Sequence, residues 1–313
     1  MSTMATLPIV IPLAAAALTL IVQRSLRTER VIGISASIAS VAVAIWLLVT
    51  VDREGAIVVA VGGWTAPIGI ALVADRLAVL LLATSAVALL AVLIYAVSQK
   101  STDEELRGFH AVYQMLAAGV ALALFTGDLF TLFVAFEIML TASYVLLTHR
   151  AGGTDTRASL TYVVIGLVAS ALLLTAIGLI YAVTGTVNIA DLTVKLDLVP
   201  GGLRAGLGWL LFMVFGIKAA IFPLFFWLPD SYPLAPTPVT ALFAGLLTKI
   251  GVYAIIRTQT LLLPSDGPAT FMLVIAGLTM IVGVLGAIAQ KDIKRILSFH
   301  IVSQIGYMIM GLG

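Results

Sequence analysis

Apolar residues fill this chain in long runs, and charged residues fall almost entirely in the gaps between them. Ten such runs lie near residues 4–22, 31–51, 75–97, 109–126, 129–148, 158–183, 203–222, 237–258, 269–289 and 293–312. A helix needs about 20 apolar residues to cross a bilayer, and these runs are of that order. A transmembrane barrel would instead alternate apolar and polar positions over about ten residues at a time, and no such segments occur. The pattern predicts an all-α, polytopic membrane protein of about ten transmembrane helices.

Composition agrees. The 313 residues are 61% hydrophobic and 10% charged, where a soluble domain carries about 25% charge. A net charge of +2 gives no reason to expect a nucleic-acid partner. The absence of cysteine excludes cysteine-ligated iron–sulfur or zinc centres and disulfides. The three histidines argue against bis-histidine haem, so no cofactor is expected. No phosphate-binding loop of the G-x-x-x-x-G-K-[ST] kind is present. Arginines follow the first apolar run rather than precede it (Arg24, Arg27, Arg30), so it reads as a retained helix and not a secretory signal.

Three gaps have a character of their own. Residues 52–74 hold Gly62, Gly63 and Pro67 between short β-branched runs and predict a small extramembrane hairpin. Residues 187–197 are amphipathic and suit the membrane interface. Residues 222–238, FPLFFWLPDSYPLAPTP, carry prolines at 223, 229, 233, 236 and 238. No continuous helix passes through such a stretch, yet it stays apolar. Irregular backbone at membrane depth is tolerated where protein buries it or where it lines a cavity.

Lysine and arginine set the orientation. Arg24, Arg27, Arg30, Lys100, Arg107, Arg150, Arg157, Lys291, Lys294 and Arg295 fall on one side, against Arg53, Arg76, Lys195, Arg204 and Arg257 on the other. The richer side is the cytoplasmic one by this rule, which places the N-terminus outside. Two bases remain, Lys218 and Lys249, and both fall within apolar runs.

Those two lysines and Glu137 form the candidate site. A charge at the centre of a membrane helix costs about 2.5–3.5 kcal/mol by insertion measurements, so intramembrane ionisable residues point to ion movement. Glu137 and Lys249 fall near mid-depth, Glu137 at ~12 Å from 1.5 Å rise per residue, and Lys218 just precedes the proline-rich break. A buried lysine holds its proton beside a carboxylate and loses it when the pair opens. A static ion pair that fixes helix packing is the structural alternative. His300, in the last run, suits a proton relay or plain packing. Asp230 lies inside the break and is a further candidate. Asp75 and Asp128 read as helix caps.

GDLFTLFVAFEIMLTASYVLL and KDIKRILSFHIVSQIGYMIMG echo one another weakly. Aligning Tyr144 with Tyr307 sets Glu137 over His300, while Asp128 and Asp292 then fall one residue out of step. The echo predicts three parts: residues 1–108, a first five-helix repeat at 109–258, and the start of an inverted second repeat at 259–313. The second repeat is incomplete, so the chain reads as C-terminally truncated relative to its own architecture.

The runs around Glu137, GIKAAIFPLFFWLPDSYPLAPTPVTALFAGLLTKIGVYAIIR and KDIKRILSFHIVSQIGYMI resemble the antiporter-like membrane subunits shared by Mrp multisubunit Na+/H+ antiporters and respiratory complex I. The D-type subunits of the Mrp family are the nearer likeness. Where complex I homologues carry histidines in a PLHxWLPDAH pattern, this chain has Phe225 and Tyr232. The resemblance implies a proton path in which Glu137, Lys218 and Lys249 are the inlet half and centre, with His300 on the continuing polar axis. It also implies H+ and Na+ as transported ions, other antiporter subunits as partners, and the inner membrane of a prokaryote as the location. A proton-pumping subunit of a redox-driven complex and a non-transporting scaffold are the rival readings.

Overall fold

The computed structural model describes residues 2–22, 25–99, 108–148, 156–263 and 269–313. Arg24, Lys100, Arg107 and Arg150, counted above for orientation, lie outside the described residues. The chain divides into two compact units, Met1–His149 and Arg150–Gly313.

The first unit holds helices α1 (Leu7–Ile21), α2 (Leu26–Glu54), α3 (Arg76–Ser98), α4 (Phe109–Phe125) and α5 (Leu129–Thr148). Between α2 and α3 lies an antiparallel hairpin, β1 (Ile57–Ala60) and β2 (Ala71–Ala74), with Ile57 opposite Ala74. It is the hairpin expected of residues 52–74. The Gly127 N–H donates to the Ala71 carbonyl at 2.8 Å, which ties β2 to the α4–α5 turn. Side-chain oxygens set the helix starts. Asp75 accepts from the Ala78 N–H at 2.9 Å and Asp128 from the Thr131 N–H at 2.6 Å, so both act as the N-caps the sequence predicts. Ser25 begins α2 in the same way. The helix therefore takes in Arg27, Glu29 and Arg30, upstream of the apolar run at 31–51.

The second unit holds α6 (Thr156–Thr184), α7 (Ile189–Lys195), α8 (Gly201–Ala219), α9 (Trp227–Ser231), α10 (Thr237–Leu242), α11 (Thr248–Arg257), α12 (Ala269–Ile288) and α13 (Ile293–Met310). A π-helical stretch, Phe243–Leu247, joins α10 to α11, and a second one, Thr258–Leu262, follows α11. These pieces make one membrane-length rod from Thr237 to Leu262. Asn188 caps α7 by accepting from the Asp191 N–H at 3.1 Å. Asp292 caps α13 by accepting from the Arg295 N–H at 3.0 Å.

Among the described residues, eight helices are long and apolar enough to cross a membrane. The shorter α4 and the more polar α13 fill the other two expected places. Leucine, isoleucine and valine crowd the outer faces as well as the core, as helices surrounded by lipid require.

Candidate functional site

Lys218 is the next-to-last residue of α8. A cation there faces the negative end of the helix dipole. Its ammonium donates to Ser170 Oγ on α6 at 3.1 Å, and the residue is buried. α8 stops at Ala219 because Ala220 turns into the left-handed region, with φ 61° and ψ 51°. The Ile221 N–H then folds back onto the Gly216 carbonyl at 3.1 Å, closing the helix as such caps do.

The proline-rich stretch that follows is broken, as its sequence requires. Turns run from Ala220 to α9, a 3-10 turn covers Tyr232–Leu234, and regular helix resumes at Thr237. Freed backbone groups at membrane depth must find partners, and here several come from elsewhere in the unit. Thr279 Oγ1 on α12 accepts from the Phe222 N–H at 3.0 Å. Trp227 Nε1 donates to the Ile217 carbonyl at 3.1 Å. Thr240 Oγ1 donates to the Tyr232 carbonyl at 3.0 Å. Lys294 Nζ reaches from α13 to the carbonyls of Ala235 at 2.9 Å and Pro233 at 3.3 Å. The rings of Tyr162, Trp227, Tyr232 and Phe243 pack the space beneath.

Lys249 sits one residue into α11, directly after the π-helical stretch. Its ammonium donates to the Ala244 carbonyl at 2.7 Å. A π-helical turn shifts the backbone pairing from i+4 to i+5 and recurs at functional positions. Here it presents a carbonyl to the ammonium of its own helix. Gly251, one half-turn later, lies on the backbone of α8, where an added Cβ would stand 3.0 Å from the Lys218 carbonyl carbon. The two lysines therefore occupy adjoining stretches of packed helices, with their ammonium groups on separate acceptors.

Asp230 and His300 have other surroundings. Asp230 is exposed and pairs with Arg295 Nη2 at 2.6 Å. His300 lies on the exposed face of α13, with Nε2 3.3 Å from Gln304 Nε2. Glu137 belongs to α5 in the first unit. It is half-buried, and its Oε1 is buried with no hydrogen-bond partner among the described residues. No group of three or more His, Cys, Asp or Glu suited to a metal ion occurs among the described residues.

Sequence reasoning does not find Ser170, the Ala244 carbonyl or the clamp from Lys294, which reads there only as a loop charge. The signal for that clamp is the five prolines themselves, which leave carbonyls that some donor must meet.

The family model described as "NADH:quinone oxidoreductase/Mrp antiporter, TM" matches residues 126–313. The D-type subunit of the Na+/H+ antiporter of Alkalihalophilus pseudofirmus is 44% identical over 316 residues, covering 100% of this chain and 64% of that protein. Its namesake from Bacillus subtilis is 41% identical, covering 98% of this chain and 63% of that protein. The chain thus spans just under two thirds of these relatives' length. A chain of the Mrp complex from Dietzia sp. superposes with a TM-score of 0.93 at 33% identity, over 100% of this chain and 59% of that one. A chain of the membrane-bound sulfane sulfur reductase, an archaeal respiratory membrane complex, gives 0.92 at 28% identity, over 100% and 65%.

Proposed function

Because the chain belongs to the NADH:quinone oxidoreductase/Mrp antiporter transmembrane family, we propose that it is the proton-translocating membrane subunit of a multisubunit Na+/H+ antiporter. It passes protons along Glu137, Lys218, Lys249 and His300, with Asp230 at the rim of the broken segment. The drive is the proton motive force, in which one charge crossing 100 mV releases about 2.3 kcal/mol. The observation that carries this reading is the pair Lys218 and Lys249. Both are intramembrane bases on adjoining helices, one beside a broken segment and the other beside a π-helical turn. A static packing role needs neither irregularity.

On this reading Na+ is the exchanged ion and the remaining antiporter subunits are the partners. The protein lies in a prokaryotic plasma membrane with its N-terminus outside, and it catalyses no covalent chemistry. Residues 109–258 form the first five-helix repeat and 259–313 begin its inverted counterpart.

The likeness to one chain of an archaeal respiratory complex supports a second reading, in which electron transfer in a partner drives the same residues. Sodium-dependent pH change in vesicles holding the assembled antiporter separates the readings. Glu137→Ala and Lys218→Ala are expected to abolish exchange while the complex stays assembled. Undiminished exchange in assembled mutants overturns the assignment. A Lys249→Met variant that exchanges normally would reduce the chain to a scaffold.

A further inference from the structure

The first unit buries an acid and an imidazole that the path above does not use. Glu29 is 1% exposed and His110 0% exposed. Glu29 lies in the first turn of α2, and Gly33 follows one turn later on the same face. A Cβ added to Gly33 would stand 2.7 Å from His110 Nδ1, so the imidazole lies over the Glu29–Gly33 face and glycine makes room for it. One turn along α4, Gln114 donates through Nε2 to the Gly33 carbonyl at 2.9 Å and to Ser37 Oγ at 3.1 Å. Glu29, His110, Gln114 and Ser37 thus form a polar ladder between α2 and α4.

The ladder leads into a cavity among α1, α2, α3 and α4. Its polar wall is Ser37, Ser40, Ser85 and Gln114, and Pro8 and Pro12 line it from α1. Pro12 has no N–H, so the Pro8 carbonyl lacks its helical donor. The volume open to the centre of a water molecule is about 20 Å³, more than the roughly 10–15 Å³ that one water needs. Three hydroxyls and the Gln114 amide, set in walls otherwise made by apolar residues such as Leu82, Leu89 and Val120, supply the roughly two to four polar partners a buried water takes.

Beyond Gln114, α4 reaches Gly119. There α5 packs so closely that an added Cβ would stand 2.8 Å from Met139 Cγ and 3.1 Å from Ile138 Cγ2. These are the neighbours of Glu137. Other ionisable groups in the surrounding helices lie mostly at helix ends. Arg27 and Arg30 flank Glu29 on α2 and Asp52, Arg53 and Glu54 close its far end, Arg76 and Tyr95 lie on α3, and Glu137 and Tyr144 lie on α5. On α4, the Tyr113 hydroxyl donates to the Leu89 carbonyl at 2.6 Å. α1 brings none.

We propose that Glu29 and His110 form a proton-loading inlet to a hydrated pocket in the first unit, on the way to Glu137. The Glu29 carboxylate takes a proton from water at the Arg27 face and hands it to the imidazole. The imidazole releases it to water in the pocket, and both groups return to their starting state. A hard cation such as Na+ is a poorer fit, because it takes oxygen ligands and the Gln114 amide nitrogen already donates to the Gly33 carbonyl and Ser37 Oγ. The destination at Glu137 rests on the proton path proposed above, whereas the hydration of the pocket does not.

The assembled complex in vesicles is exposed to X-ray radiolysis, which makes hydroxyl radicals from water in place, and oxidation of this chain is followed by mass. The pocket side chains Pro12, Leu82 and Leu89 are expected to label well above the buried Leu124 and Leu146 of the same unit. Labelling no higher than at those two leucines means a dry pocket and overturns the proposal. Glu29→Gln and His110→Gln, with Glu29→Asp as the conservative control, are expected to leave assembly and labelling intact. The first two lower exchange at least about fivefold and shift its pH profile, and Glu29→Asp restores most of it. A wild-type profile in both Gln variants overturns the inlet. Labelling with wild-type exchange in Glu137→Ala overturns the path above and not the hydrated pocket.

Discussion

Gly251 on α11 lies against the backbone nitrogen of Ala219 on α8, with an added Cβ only 2.7 Å away. Nothing at that spot can move aside, because the contact is main chain and not the end of a flexible side chain. Gly251→Ala must push α11 off α8 where Lys218 and Lys249 adjoin. Overpacking of this kind costs about 1–3 kcal/mol. The expected result is a lower unfolding midpoint of the purified complex, with a loss of exchange larger than the loss of assembled protein. Unchanged stability and exchange would show that the contact is looser than the geometry says.

Ala220 ends α8 with φ 61°, a region that costs an L-residue about 1–2 kcal/mol and glycine nothing comparable. Ala220→Gly removes that strain. The fully buried methyl is lost in exchange, so the net gain is roughly 0.5–1 kcal/mol, or no more than about 1–4 °C in midpoint. Ala220→Val does the reverse, since a β-branched side chain suits the left-handed region least. Paired melting curves of the two variants check the sign.

Lys294 and Asp230 both hold the broken segment, and they are expected to differ in worth. The Asp230–Arg295 pair has side chains 57% and 47% exposed, and such surface pairs contribute about 0–1 kcal/mol. Asp230→Asn should cost little, and that little should vanish in about 1 M salt, where screening acts within ~3 Å. Lys294→Ala strips the donor from the part-buried Pro233 carbonyl and leaves the Ala235 carbonyl with Thr240 Oγ1 alone at 3.1 Å, so the cost falls toward the lower end of the about 1–3 kcal/mol of an unsatisfied carbonyl. Hydrogen exchange over residues 230–237 should rise in the Lys294 variant and stay near wild type in Asp230→Asn.

Much of this was legible in the sequence. Helices surrounded by lipid must satisfy their backbone internally and be apolar on every side, so run length alone located the spans. Proline chemistry located the break and put Lys218 beside it, and α8 does end there. Asp75 and Asp128 announced their caps by position. Facts that depend on a distant neighbour were not legible. Glu29 reads as one more loop charge beside Arg27 and Arg30, and only His110, brought from α4, shows that it is buried. Ser170 carries no sign that it receives Lys218. The π-helical turn before Lys249 leaves no trace in ALFAGLLTK, because backbone pairing can shift there without any special residue. His300 could not be assigned a face, since polar and apolar residues are mixed around α13 with no clear stripe.

The turn that caps α5 offers a test in pH. Asp128 Oδ1 accepts from the Thr131 N–H at 2.6 Å, while Oδ2 is buried with no hydrogen-bond partner among the described residues. Burial pushes the carboxyl above the ordinary carboxylate range, against the opposing hydrogen bonds from Thr131 and Phe130. A raised value in the folded state means that folding favours the protonated form. That contribution is present in full below the ordinary carboxylate range and is lost as pH rises through the raised value. Above that raised value the cap is ionised at the expense of stability. Asp128→Asn keeps an oxygen acceptor for the Thr131 N–H, and asparagine caps as well as aspartate, but it has no proton to lose. The variant should therefore melt at or above the wild-type temperature at pH 7, with the two curves converging as pH falls into the carboxylate range. An Asn variant less stable by a constant amount across that range would mean that attraction between the carboxylate and the helix dipole outweighs the cost of burying it.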